Sequence, residues 1–87
     1  RDLALIMPTH ISAQSVIQTL HRNKLVTKVE IFDVYSGENI PEDTKSLALH
    51  LYFQSPDHTL TSDEVNKALK GILINLEKDL GAVLRSI

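Results

Sequence analysis

Ile31–Phe53, IFDVYSGENIPEDTKSLALHLYF, is the stretch whose reading decides the fold. In its second half Leu47, Leu49, Leu51 and Phe53 alternate strictly with Ser46, Ala48, His50 and Tyr52, the period of a strand with one buried face. Its first half continues a run from Val29 to Tyr35 that is rich in β-branched and aromatic residues, which suit a pleated surface. Between them Ser36–Asp43 collects Gly, Asn, Pro and acids, the residues of turns. Two antiparallel strands joined by a long loop are therefore expected. The loop carries Glu38, Glu42 and Asp43 and no base, so it reads as solvated and not as a phosphate-binding loop.

Working outward, Leu3, Leu5 and Met7 alternate with Asp2, Ala4 and Ile6, a first strand ended by Pro8. Ser12 is placed to cap a helix in which Ala13, Val16, Ile17 and Leu20 recur at helical spacing, with Ile11 and Val16 as the staple pair and Asn23–Lys24 as its end. Thr61-Ser62-Asp63-Glu64 reads as a capping box, stapled by Leu60 and Val65. A long helix follows, with Val65, Leu69, Ile72, Leu73, Leu76 and Leu80 as its buried stripe and an Asp63–Lys67 pair on its surface. Gly71 in its interior is unfavourable by about 1 kcal/mol relative to Ala, which is taken to mark close packing. Gly81 suits a left-handed C-cap leading into a last strand at Ala82–Arg85. The order β-α-β-β-α-β predicts an α+β, ferredoxin-like single domain over residues 1–87, with two helices on one face of a four-stranded antiparallel sheet and the other face open.

Composition bounds the function. A chain of 87 residues supports one modest core. There is no cysteine, which excludes disulfides, thiolate metal sites and a cysteine nucleophile. Nine Lys and Arg against eleven Asp and Glu give a net charge of -2, unlike an autonomous non-specific nucleic-acid binder, so any RNA contact should be weak and local. Apolar runs are far short of a bilayer span and the N-terminus lacks a secretory signal, so a soluble, cytoplasmic protein with no membrane partner is expected. His10, His21, His50 and His58 show no spacing that puts two of them on one helical or strand face with a carboxylate, so no metal site is expected. Neither a Ser-His-Asp arrangement, paired carboxylates in a cleft, nor a Gly-rich phosphate loop is evident, and no catalytic residue is assigned.

Strand parity gives a candidate surface. If Leu47, Leu49, Leu51 and Phe53 face the helices, Ser46, Ala48, His50 and Tyr52 face the open side. Taking Phe32 and Val34 inward puts Asp33 and Tyr35 outward near Ser46, at the expense of exposing Val29 and Ile31. An Asp carboxylate can accept from guanine N1 and N2 together, Tyr35 can stack on an unstacked base, and Ser46 can add a donor or acceptor, as in the reading of single-stranded RNA loops. Lys45, Arg1 and His50 are placed as further RNA contacts, and Arg22, Lys24 and Lys28 form a basic group able to hold phosphates. Taken alone, the same residues also fit a half-buried structural Tyr, a turn-capping Asp and an ordinary Ser.

Phe32-Asp33-Val34-Tyr35-Ser36-Gly37, a Pro-containing loop, Lys45-Ser46-Leu47-Ala48-Leu49, and Ser55-Pro56-Asp57-His58-Thr59-Leu60-Thr61-Ser62-Asp63-Glu64-Val65-Asn66 before a closing helix recur in this order across nearly the whole chain. The chain thereby resembles the C-terminal, ferredoxin-fold anticodon-binding domain of phenylalanyl-tRNA synthetase beta subunits. It departs from that pattern at Ser36 and His58, where an Arg is usual, which weakens two backbone contacts. The resemblance implies that Asp33, Tyr35 and Ser46 read the first anticodon base of phenylalanine tRNA, a guanine. It implies a piece of a longer chain, with the other beta-subunit domains and an alpha subunit as partners and with ATP and magnesium used elsewhere in an ATP-dependent ligase, none of them bound here. The alternative is an interaction module that buries an open face made of Ile6, Val29, Ile31 and Tyr52 against another domain. A small-molecule sensor or small hydrolase is a third class, short of the loop or catalytic pair it needs.

Overall fold

The computed structural model describes residues 1–86. Its elements are β1 (Asp2–Pro8), α1 (Ala13–Leu20), β2 (Val26–Tyr35), β3 (Thr44–Phe53), α2 (Ser62–Leu80) and β4 (Val83–Ser86). The strands lie in the order β2-β3-β1-β4. Every neighbouring pair is antiparallel. Leu3, Leu5 and Met7 of β1 are all buried, and Leu3 and Leu5 sit opposite Leu49 and Leu47 of β3. These leucines share one cluster with Val16 and Leu20 of α1 and with Leu69, Ile72 and Leu76 of α2, so both helices cover the same face of the sheet. Burial of each such side chain contributes about 1.5–3 kcal/mol, which makes this layer the main source of stability.

The helix ends follow the capping chemistry. Ser12 Oγ accepts from Ser15 N at 3.1 Å. Thr61 and Glu64 form the full capping box of α2, and Gly81 closes that helix at φ 68°, its N–H donating to the Glu77 carbonyl. α1 stops at Leu20 rather than at Asn23–Lys24, because Asn23 Oδ1 accepts from Leu25 N at 2.9 Å and organises the turn into β2. β2 consequently begins at Val26, before the expected Val29. Gly71 does not mark close packing: a Cβ there would meet nothing within 4 Å. The Asp63–Lys67 pair is not among the ion pairs of the described residues, which include Arg22–Asp79 at 2.8 Å.

β2 is irregular in a way that matters for the open face. Against β3 its register runs Val26↔Phe53, then Lys28↔Tyr52; it runs Ile31↔Leu49, then Asp33↔Ala48. Thr27 and Phe32 are thus extra residues, each a bulge that resets the alternation of side chains. Val29 and Ile31 lie opposite Leu51 and Leu49 and pack on the core, while Asp33 and Tyr35 lie opposite Ala48 and Ser46. The expectation that Val29 and Ile31 share the exposed face with Asp33 and Tyr35 is therefore corrected. One inserted residue lets both pairs take their preferred sides.

Candidate nucleic-acid interface

The open face is built from the outward residues of β2, β3 and β1, with β4 closing one side. Tyr35 and Ser46 are direct cross-strand partners, and Asp33 is the diagonal neighbour of Ser46 through Ala48. Diagonal neighbours lie about 7–8 Å apart, a gap that admits the edge of a flat base. The structure thus brings Asp33, Tyr35 and Ser46 onto one surface, as strand parity implied.

Each of the three is held differently. The Tyr35 hydroxyl donates to the Glu38 carbonyl at 2.8 Å, which ties the ring to the start of the β2–β3 loop. Gly37 lies under that hydroxyl at φ 136°, a conformation rare for residues with a Cβ. Ser46 is 6% exposed, and its Oγ accepts from Arg85 Nη1 at 3.2 Å. Because the guanidinium can only donate, the Ser46 hydroxyl keeps its own proton to offer. Asp33 is exposed at the edge strand β2.

Arg85 also reaches this surface, a placement the sequence reading did not make. β4 pairs with β1 through Ile6↔Val83 and Leu5↔Leu84, and the register then shifts to Ala4↔Ser86, leaving Arg85 as an extra residue whose guanidinium reaches across β1 to Ser46 on β3. The available signal was the strand order of the fold, which sets the last strand beside the first. The result is a cluster of one carboxylate, one hydroxyl, one aromatic ring and one guanidinium, three of them able to donate or accept toward the edge of a base.

Further along the same face, Phe32 and His50 stack with ring centroids 4.2 Å apart and planes 18° apart. His50 Nδ1 is paired with Asp2 Oδ1, which requires the proton on Nδ1. Lys28 Nζ lies 5.4 Å from the Tyr52 ring centroid and 3.5 Å from Glu30 Oε2. Phe32, expected to point inward, is 54% exposed and belongs to the open face. Two consecutive residues on the bulged strand oppose Ala48, and both Phe32 and Asp33 are turned outward.

Other placements change. Lys45 lies opposite Met7 and alternates with Ser46, so it shares the helix-facing side and does not line the candidate surface. Arg1 is paired with Leu51, its carbonyl accepting from Leu51 N at 2.6 Å. That register also sets it on the helix-facing side, at the end of β1 remote from Ser46. The basic group disperses as well: Arg22 is committed to Asp79 and Lys28 to Glu30 and Tyr52. His50 pairs with Asp2 and His58 with Glu64, the latter at 2.7 Å, each a single histidine with a single carboxylate. Among the described residues no three His, Asp or Glu side chains come together to hold a metal ion. No helix among them is long and apolar enough to cross a membrane.

Two helices packed on one face of an antiparallel sheet ordered β2-β3-β1-β4 define a ferredoxin-like α+β domain whose other face is free for recognition. The chain belongs to the ferredoxin-fold anticodon binding domain family, whose model matches residues 1–85. It is 49% identical over 86 residues to the phenylalanine–tRNA ligase beta subunit of Dehalococcoides mccartyi strain CBDB1, covering 99% of this chain and 11% of that protein. It is 44% identical over 87 residues to the beta subunit of Pseudomonas fluorescens strain Pf0-1, covering 98% of this chain and 11% of the relative. With the beta subunit of Blochmanniella floridana the identity is 42%, again over 98% of this chain and 11% of the relative. The chain spans about a tenth of the length of these curated relatives, 11% in each case.

Proposed function

We propose that this domain reads the first anticodon base of phenylalanine tRNA, a guanine, as part of a phenylalanine–tRNA ligase beta subunit. The observation that carries the proposal is the convergence of Asp33, Tyr35, Ser46 and Arg85 on one open face. Asp33 accepts from guanine N1–H and N2–H, a donor pair that no other standard base offers on its pairing edge. O6, the remaining acceptor of that edge, takes a hydrogen bond from the Ser46 hydroxyl or the Arg85 guanidinium. Tyr35 supplies the stacking surface. His50 adds polarity beside it, held by Asp2.

No chemistry is assigned to this domain. Adenylate formation and aminoacyl transfer, with ATP and magnesium, belong to the rest of the ligase, whose alpha subunit and remaining beta-subunit domains are the proposed protein partners in the cytoplasm. With a net charge of -2 the domain gains little from phosphates, and tethering to those other tRNA-binding surfaces offsets a weak local contact. Burial of the open face in a purely structural interaction module is disfavoured by the side taken by Val29 and Ile31. They pack on the core, so two of the four residues such a module would bury are withdrawn from that face.

The test is the ratio of affinities for a phenylalanine anticodon stem-loop with guanine or adenine at the first anticodon position. Asp33→Asn removes one of two acceptors and is expected to reduce the guanine preference by about 1–3 kcal/mol. An unchanged preference in that variant would remove Asp33 from base reading.

A further inference from the structure

We propose that Phe32, backed by His50 and Asp2, is a second stacking position that takes the nucleotide adjacent to the one read at Asp33, so that the face holds two successive unstacked bases. This rests on the base-reading role given above to Asp33, Tyr35 and Ser46. Its own support is separate and lies in the bulge of β2.

A regular strand would send Phe32 into the core and Asp33 outward. The extra residue opposite Ala48 puts both side chains on the open face, on adjacent Cα atoms about 3.8 Å apart. A base engaged by the Asp33 carboxylate therefore has the Phe32 ring at its side, and the next base along the strand lies within reach of that ring. Phe32 is 54% exposed, an uncommon state for a large aromatic in a domain whose core is otherwise closed. Its ring is nevertheless oriented, because one face rests on the His50 imidazole at 4.2 Å with an 18° tilt. His50 is in turn fixed by Asp2 on β1, so two strands set the position of a ring that stands on a third, the edge strand β2. Such an oriented flat ring loses little side-chain freedom when a base stacks on it, and base–aromatic stacking tolerates any base because each has a π-face. The charges around it limit the phosphate contribution: Lys28 is paired with Glu30, and Asp2 is paired with His50. Stacking, not phosphate contact, is the interaction this position offers.

The experiment uses phenylalanine anticodon stem-loops carrying 2-aminopurine either just after or just before the first anticodon base, titrated with this chain at low salt. Quenching of one of the two probes on binding is expected. Phe32→Leu, which keeps an apolar side chain without a ring, should abolish that quenching and weaken binding about tenfold, the scale of one lost base–aromatic stack. Phe32→Tyr should retain both. The preference for guanine over adenine at the first anticodon position should survive in Phe32→Leu, since Asp33 and Ser46 are untouched. Equal quenching and equal affinity in wild type and Phe32→Leu, with guanine preference intact, would refute the second position and leave base reading standing. A wild-type chain with no guanine preference, or with no RNA binding, would overturn the base-reading role and this inference with it.

Discussion

Glu64 joins three contacts at the start of α2: one carboxylate oxygen accepts from the Thr61 backbone N–H at 3.1 Å and from the Thr61 hydroxyl, and the other accepts from His58 Nε2 at 2.7 Å. The His58 hydrogen bond, and after it the Thr61 backbone N–H, hold its pKa below the usual glutamate value. A carboxylate whose folded-state pKa is lowered stabilises the fold fully above its unfolded value, and that contribution is lost as pH falls through the folded value. The Glu64 side chain, followed by NMR, should therefore titrate below free glutamate, and His58→Ala should move the midpoint upward. A midpoint unmoved by His58→Ala would show that the link does not form. The pair with Glu64 gives His58 a local role at the helix cap. At this scale the shared surface of Asp33, Tyr35 and Ser46 was legible in the sequence because strand parity places them. Arg85 was not, since its meaning depends on a partner 39 positions away in the chain.

At the level of elements, β1, β3 and α2 could be read directly because each has one dominant periodicity and recognisable ends. Leucine alternation fixed β3, and the Thr61–Glu64 capping box with Gly81 bounded α2. β2 resisted, because its sides are set by the bulges at Thr27 and Phe32 and so by pairing with β3 rather than by any single period. The change of phase between Val29–Ile31 and Val34 was the trace such a bulge leaves in sequence. Within α2 the two glycines separate propensity from geometry. Gly71 is helical with open space at its Cβ position, so Gly71→Ala should raise stability by about 0.5–1 kcal/mol. Gly81 sits at φ 68° in the left-handed region, so Gly81→Ala should lower it by about 1–2 kcal/mol. Chemical denaturation midpoints check both. A destabilised Gly71→Ala would mean that the helix surface is packed against something at that point.

The whole molecule is long for its size, 43 × 20 × 18 Å, with both helices on one side of the sheet and the open face on the other. That division assigns stability and recognition to opposite surfaces. Leucines of β1 and β3 point into the core, while the alternate residues of the same strands are free to vary in chemistry without disturbing it. The net charge of -2 fits the proposed reading of a base by its edge and by stacking, which draws little on the phosphate backbone. The overall architecture was legible from element order alone. The exact membership of the open face was not, because it required the register of β2, the position of β4 beside β1 and the parity that turns Lys45 and Arg1 away.

The measurement that decides between a base-reading face and any other use of this fold is an NMR titration of the chain with a phenylalanine anticodon stem-loop at low salt. It is run beside the same RNA with adenine replacing the first anticodon guanine. Shifts centred on Asp33, Tyr35, Ser46 and Arg85, and clearly weaker with adenine, are expected. Equal shifts with the two RNAs, or shifts confined to the helices, would contradict the assignment of guanine reading to this surface.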